Sequence, residues 1–577
     1  MSILQFDFKS ENSLDQSLVF IQPVEIISTR NISEVENCIE QIQQAVNDGF
    51  YVAGYLSYEV VYSLTSLKEK SPPITMPLIW FGVFKEPSTL PQMTSKPYTL
   101  GEWHLQQTKD DYWEAFHRIK EAIRNDETNQ VNYTVQFQAD FHGNSGYSLY
   151  KELKKNQRAN YSAYLDIGEY EILSASPELF FHVHNNQITT KPMKGTIHRG
   201  KTYEEDLVQY RWLKRSEKNR QENDLITSLM VDELKNVAKE SSIHVSNQYE
   251  IEKYPTVFQM TSTITGEILP RKSIVDIMKT LFPCGSITGV PKQKTIELIS
   301  NIEKQPREIY CGAIGYITPN QEAIFNVPIR TVCIDKSAKK AAYGAGGAIT
   351  LYSTPDEEYT EIFTKTKILH VKQESFQLLE TFGLKNGRYI AFSEHLQRLQ
   401  KSASYFDFTI NLEKIKCKLI NMMQKLQKGQ WRVRLLVNES GQCDIEIHPL
   451  TKPDILEVSL AESPIDKQNI FLYHKTTNRK MYEIHKKEGV FDTLLWNTDR
   501  EITEFTIGNI VIELDGELVT PPIECGLLPG TFRKKLLTEK KVKEAKISIE
   551  DLNKCTNIWL INSVREWVPV QLQQSFF

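Results

Sequence analysis

Ser176-Pro177-Glu178-Leu179-Phe180-Phe181, Asn185-Asn186-Gln187 and Lys191-Pro192-Met193-Lys194-Gly195-Thr196 carry the decisive pattern. Two runs with strand character flank an Asn-Asn pair suited to a tight turn. With the turn centred on Asn186, Glu178 falls opposite Lys194. Cross-strand partners stand about 4.5–5.5 Å apart at Cβ, so a carboxylate would face an amine. Taken alone, this is a surface ion pair on a hairpin spanning Glu171 to Thr196. In a shielded site it is a nucleophilic lysine beside its base.

Acidic and glycine-rich segments lie around it. Glu358 and Glu361 are three apart on one helix face, and Lys365 continues that face. Glu222 lies in a polar helix expected over Tyr203–Lys239. Carboxylate oxygens beside an anionic substrate suit Mg²⁺, although each cluster alone also reads as a solvated face. Cys284 to Lys292 precedes a helix, and Tyr343 to Thr350 is strand-like; both offer backbone N–H groups to an anion. Helices are expected over Val35–Asn47 and Lys109–Arg124, and strands over Tyr51–Glu59 and Val131–Phe141.

The chain has 577 residues, more than one ordinary core holds. With 40% hydrophobic and 24% charged residues it is globular. Its 68 basic and 73 acidic side chains leave a net charge of −5, which gives no field for nucleic acid or anionic membranes. No apolar run approaches the ~18–20 residues of a membrane span. Met1–Asp7 lacks the look of a signal peptide. None of the eight cysteines forms a Cys-x-x-Cys pair. A cytoplasmic location is expected.

In combination and order, the segments up to residue 371 resemble the chorismate-utilising enzymes. The matching strings are Tyr51 to Glu59, Ser-Pro-Glu178, Lys194-Gly-Thr196, Glu222-Asn223, Cys284 to Lys292, Ile314-Gly-Tyr316, Ile329-Arg-Thr331, Gly346-Gly347 and Glu358-Tyr-Thr-Glu361. Lys194 before Gly-Thr resembles the aminodeoxychorismate synthase members, where anthranilate synthases typically carry Ala. The resemblance implies Lys194 as nucleophile with Glu178 as its base. It implies Mg²⁺ on Glu222, Glu358 and Glu361, and chorismate held by Thr196, Thr288, Tyr316, Arg330, Gly346, Ala348 and Lys365. Asn219, the Met230-Val-Asp-Glu-Leu segment and Gln259 depart from the family's usual residues.

Near residue 370 the grammar restarts with a strand, an Asn386-Gly387 turn, a strand, and a helix over Ser393–Tyr405. Further on come Lys475, then Glu504 within Glu501 to Asn509, then Gly530-Thr531 opening a basic helix. A lysine, a carboxylate and a helix N-terminus supply what pyridoxal phosphate needs: an amine for its aldehyde, a partner for its ring nitrogen and a phosphate anchor. Each alone also reads as a surface loop. With Leu379-Glu-Thr381 and Glu394-His-Leu-Gln-Arg398, the set resembles the fold-type IV pyridoxal-phosphate enzymes. The resemblance implies cofactor contacts from Lys475, Glu504, Arg398, Asn509, Gly530 and Thr531. Thr381 would lie near the cofactor and Asn562 to Arg565 near the substrate. The family's opening segment is short here.

The expected fold is α+β. Residues 1–371 would form a chorismate-binding α/β sandwich, and residues 372–577 a fold-type IV domain. The implied function is bifunctional 4-aminobenzoate synthesis from chorismate and ammonia by way of 4-amino-4-deoxychorismate. The alternatives are an anthranilate synthase-like enzyme with a fused class IV aminotransferase, or a regulatory protein binding chorismate or the cofactor. No cysteine stands in a Gly-x-Cys-x-Gly turn, so a separate glutamine amidotransferase is the expected ammonia source. A homodimer stays open.

Overall fold

The computed structural model describes residues 2–9, 17–67, 72–91, 93, 96–370, 375–453 and 456–573. The expected boundary at 371/372 and Met1 lie outside them. The chain divides into two units, Met1–His198 with Tyr210–Gln373, and Arg199–Gln209 with Glu374–Phe577. Segment Arg199–Gln209 is pinned by its own charges. The Arg199 guanidinium is buried, bonds Asp206 at 2.5 Å and the Tyr405 carbonyl at 3.0 Å, and stacks on the Tyr405 ring.

Two ten-stranded sheets make the first unit. One is centred on Gln130–Gly143, Lys340–Thr350, Thr331–Asp335, Tyr170–Ser176 and Tyr161–Asp166. The other runs from Met193–His198 through Val257–Glu267, Gln187–Lys191, Leu179–His184, Ala323–Asn326, Ala313–Ile317, Tyr51–Leu56 and Ile79–Phe84 to Glu25–Thr29. Side chains alternate along a strand, so each sheet has two faces. Leu4, Phe6, Leu165 and Ile172 of the first pack against Ala53, Tyr55, Ile314 and Ile324 of the second. Helices cover the outer faces. Val35–Asn47 and Ile274–Leu281 pack on Val52, Phe81 and Phe181 of the second sheet. Lys109–Arg124 and Tyr147–Gln157 pack on Val135, Phe137 and Val332 of the first.

In the second unit, a four-stranded antiparallel sheet contains Leu378–Lys385 and Gln430–Val437. Helices Phe392–Phe406 and Leu412–Lys425 cover its Leu378, Phe382, Leu384 and Val433 face. An eight-stranded sheet follows, in which the extra pairing of Ile502–Phe505 with Gly508–Leu514 closes six strands into a barrel. Val458, Leu494, Ile510, Leu560 and Val570 belong to its core. No helix among the described residues is long and apolar enough to cross a membrane.

Local signals held their elements in place. The helices at Val35–Asn47 and Lys109–Arg124 have the expected ends. Thr108 and Asp111 form a reciprocal cap on the second. Tyr203–Lys239 is instead two helices, Tyr203–Arg215 and Glu217–Leu234, divided where Ser216 caps the second by accepting from Asn219 N–H. The strand at Tyr51 ends at Leu56, and Glu171 to Thr196 is not one hairpin but parts of both sheets.

Candidate active sites

The decisive hairpin forms with a different register. Asn185 and Asn186 both have positive φ, 49° and 60°, as a two-residue turn of the primed class requires. His184 therefore pairs with Gln187 and Val183 with Ile188, and an irregularity then sets Leu179 opposite Lys191. Pro192 follows, and Lys194 lies on the next strand, paired with Val257–Glu267. Glu178 and Lys194 are thus not cross-strand partners. They nevertheless line one cavity of about 310 Å³.

Burial dominates the chemistry there. It pushes the Glu178 carboxyl up to about 7, against the Ser286 hydroxyl that donates to it and the nearby Lys194 charge. It also pushes the Lys194 amine below its ordinary value, while Glu222 and Glu178 pull the other way. The two shifts bring the proton affinities of the amine and the carboxyl closer together than in water.

In the same cavity, Gly347 makes a floor for charged groups from helix Pro355–Thr366. A Cβ at this position would stand 3.1 Å from Glu358, 3.7 Å from the Lys365 amine and 3.8 Å from Glu361. Lys365 bonds Glu361 at 2.5 Å and the Gly346 carbonyl at 2.7 Å. Glu361 is accordingly held below the ordinary carboxylate value by Lys365, whereas burial and then Glu361 raise Glu358. Glu222, Arg330, Thr196, Gly346 and Ala348 line the same cavity. Two oxygen donors crowded over a side-chain-free floor, with Glu222 lining the same cavity, are of the kind a hydrated divalent cation takes. Among the described residues, however, no three acidic, His or Cys side chains converge as a ready metal cluster.

Two expected substrate contacts are corrected. The Thr288 hydroxyl is buried and bonds the carbonyls of Cys284 and Gly285 within its own turn, away from the cavity lining. Tyr316 points between the sheets, its ring 5.3 Å from Phe6 and stacked on Phe8 at 6.1 Å. Ser286 and Tyr343, from the two glycine-rich segments, line the cavity through side chains the sequence did not single out, as do Tyr310 and Lys218.

The second unit has a cavity of about 300 Å³ lined by Lys475, Glu504, Thr381, Arg398, Asn509, Gly530 and Thr531. Lys475 sits on a loop stitched to the strand Leu378–Lys385, since Leu379 N–H donates to the Lys475 carbonyl at 3.0 Å and Thr477 N–H to that of Gln377 at 2.9 Å. Burial, then Arg398 and Arg479, lower its amine to about 7. Glu504 is raised to about 7 by burial, while it accepts bonds from Leu528 N–H at 3.0 Å, Tyr482 at 2.7 Å and Asn509 at 3.1 Å.

Arg398 forks onto buried Glu380 at 3.0 and 2.6 Å. Glu380 also takes a bond from His395 Nδ1 at 2.6 Å, and His395 Nε2 meets the hydroxyls of Ser563 at 2.8 Å and Thr531 at 3.1 Å. Sequence reasoning missed Glu380 and His395. The available signal was a carboxylate on the otherwise apolar face Leu378, Phe382, Leu384, across from Glu394-His395 and Arg398. An easily deprotonated lysine, a carboxylate held by donors and a helix N-terminus at Gly530 fit pyridoxal phosphate.

Residues 5–370 match the family described as chorismate binding enzyme. The chain belongs to that family. Residues 377–572 match amino-transferase class IV, which implies pyridoxal phosphate. Aminodeoxychorismate synthase component 1 of Salmonella typhimurium is 34% identical over 279 residues, 48% of this chain and 61% of that protein. A probable chloroplastic aminodeoxychorismate synthase of Oryza sativa subsp. japonica is 37% identical over 266 residues, 46% of this chain and 30% of that protein. The chain thus spans less than two thirds of the length of these relatives. The crystal structure of anthranilate synthase component I from Streptococcus pneumoniae shares the first unit's fold, with TM-score 0.54 at 20% identity over 63% of this chain and 95% of that one.

Proposed function

We propose that the chain catalyses two successive steps of 4-aminobenzoate synthesis. Residues 1–371 would convert chorismate and ammonia to 4-amino-4-deoxychorismate, and residues 372–577 would eliminate pyruvate to leave 4-aminobenzoate. The observation that carries this reading is Lys194 with a depressed amine pKa, in one cavity with Glu178 raised to about 7. A neutral amine is a nucleophile, and a carboxylate near its own pKa can hold the proton that the amine releases.

Lys194 would bond a ring carbon of chorismate as the ring hydroxyl departs, and ammonia would then displace the lysine. Arg330, Lys365 and the Gly346–Ala348 strand supply charge and N–H groups to the substrate's carboxylates. Glu222, Glu358 and Glu361 would hold Mg²⁺, which neutralises charge beside the departing hydroxyl. Ammonia would come from a glutamine amidotransferase. All eight cysteines are free thiols, which supports a reducing compartment such as the cytoplasm.

In the second unit, pyridoxal phosphate would supply an electron sink for proton loss beside the substrate nitrogen. Lys475, its amine lowered to about 7 and so deprotonated far more readily than a free lysine, would hold the cofactor's aldehyde and move the proton. Glu504 would face the ring nitrogen, and Thr531, Gly530 and Arg398 would secure the phosphate. Chorismate supplied with ammonium and Mg²⁺ tests the whole scheme. Chromatography must accompany mass spectrometry, because 2- and 4-aminobenzoate are isomers. The expected product is 4-amino-4-deoxychorismate without the cofactor and 4-aminobenzoate plus pyruvate with it. Formation of 2-aminobenzoate would reject the scheme.

A further inference from the structure

The mouth of the second cavity carries more positive charge than a cofactor phosphate needs. Arg432 and Arg434 stand on Gln430–Val437, paired with Gly383 and Thr381. Cross-strand partners share a face, so both arginines lie on the cavity side. Gly383 permits a close backbone approach beside them: a Cβ there would be 2.5 Å from the Ser563 carbonyl oxygen and 3.0 Å from the Val564 Cα. Because that space is empty, the turn after Asn557–Asn562 rests on the sheet, and Arg565 joins the same cavity.

The charges around it are unevenly answered. Arg398 is matched by Glu380, and Arg434 by Glu446 at 2.8 Å. Arg432, Arg565, Arg479 and Lys486 have no ion-pair partner among the described residues; Arg479 bonds the neutral Thr506 carbonyl and stacks on Tyr482, and Arg565 bonds the neutral Thr451 carbonyl at 2.6 Å. Arg565 binds its proton less firmly than usual, through burial and then the charge of Arg432, so the two guanidiniums feel each other. Among the described residues the one carboxylate lining the cavity is Glu504, which is buried and engaged by Tyr482, Asn509 and Leu528. Two like charges held side by side without a counter-charge fit an incoming anion, and a guanidinium fork fits a carboxylate.

We propose that Arg432 and Arg565 form a carboxylate clamp that selects an amine substrate bearing two carboxylates over one bearing a single carboxylate. The clamp rests on the pyridoxal-phosphate reading of this cavity. With one guanidinium fork on the strand and one on the turn, each of two carboxylates would have its own partner, whereas a monocarboxylate would engage one of them. In the pyridoxal-phosphate reading the cofactor phosphate would be held by Gly530, Thr531 and Arg398, which leaves Arg432 and Arg565 for substrate.

The test uses the full chain loaded with pyridoxal phosphate, as wild type, Arg432→Gln and Arg565→Gln. Each substitution should raise KM for 4-amino-4-deoxychorismate by ~10–100-fold, the worth of one charged hydrogen-bonded contact. Changes in kcat should stay within a few fold, and cofactor occupancy, read by absorbance, should not change. Arg432→Lys, with the charge but not the fork, should recover part of the loss. An unchanged KM in both Gln variants would overturn the clamp.

A second measurement separates this inference from the lyase reading. Shifts in the cofactor's absorbance are titrated with L-glutamate and L-alanine. Wild type should favour glutamate and the Gln variants should lose that preference, even if wild type releases no 4-aminobenzoate and the lyase reading falls. Equal affinity of wild type for the two amino acids would overturn the clamp by itself.

Discussion

Replacing Glu380 with glutamine should loosen the wall of the second cavity. The Glu380 side chain is 2% exposed and accepts from His395 and twice from Arg398. Burial alone would raise its pKa. Arg398 and then His395 outweigh burial and hold it at about 2 instead of 4.5. That difference favours the ionised form by about 3 kcal/mol. Because the folded value is depressed, this stabilisation is fully present above pH ~4.5 and disappears as pH falls toward ~2. Glutamine removes the charge at every pH and leaves Arg398, only 10% exposed, without a counter-ion. Breaking a buried pair in this way costs roughly 3–5 kcal/mol. Hydrogen exchange read by mass spectrometry resolves the effect by segment. Amides of Leu378–Lys385 and Phe392–Phe406 should exchange on the order of 10²–10⁴-fold faster, and pyridoxal phosphate should bind more weakly. Exchange within about threefold of wild type would refute the assigned strength of this network.

The two cavities carry further expected outcomes. Lys194→Ala should abolish 4-amino-4-deoxychorismate formation while 4-aminobenzoate release from supplied 4-amino-4-deoxychorismate continues; unchanged synthase turnover would remove Lys194 as nucleophile. If Glu178 acts as base, kcat/KM for chorismate should rise with pH through about 7, because its raised carboxyl must lose its proton to act; Glu178→Gln should flatten that limb. The purified chain should use ammonium salts but not glutamine, and efficient glutamine-dependent turnover would refute the need for an amidotransferase. Glu504→Ala should retain the cofactor band and slow elimination ~10²-fold or more, whereas undiminished turnover would deny its place at the ring nitrogen.

Local chemistry made much of the molecule legible. The Thr108–Asp111 cap and the helical period of Val35–Asn47 depend on neighbours in sequence, so their ends could be read directly. The register at Glu178 could not. It depends on an irregularity after Leu179 and on pairing of Met193–His198 with a strand some sixty residues away. Lys194 and Glu178 share a cavity through that distant pairing, not through the hairpin. Tyr316 was misplaced because a family string locates a strand, not the direction of each side chain; its two-residue period with Ile314 puts it between the sheets. Thr288 failed for a related reason, since a threonine in a tight turn satisfies its own backbone first. In the second unit, Lys475, Glu504 and Thr531 do gather at one cavity, but the Glu380–His395 support behind them needed the packed helix Phe392–Phe406 to be seen.

One chain would carry two consecutive reactions, with one essential lysine in each unit. Complementation measures this most directly. Lys194→Ala and Lys475→Ala are assayed alone and mixed, with chorismate, ammonium, Mg²⁺ and pyridoxal phosphate, and 4-aminobenzoate is quantified. Neither variant alone should release 4-aminobenzoate, Lys475→Ala should accumulate 4-amino-4-deoxychorismate, and the mixture should release 4-aminobenzoate again. Release of 4-aminobenzoate by either single variant would contradict this division of labour.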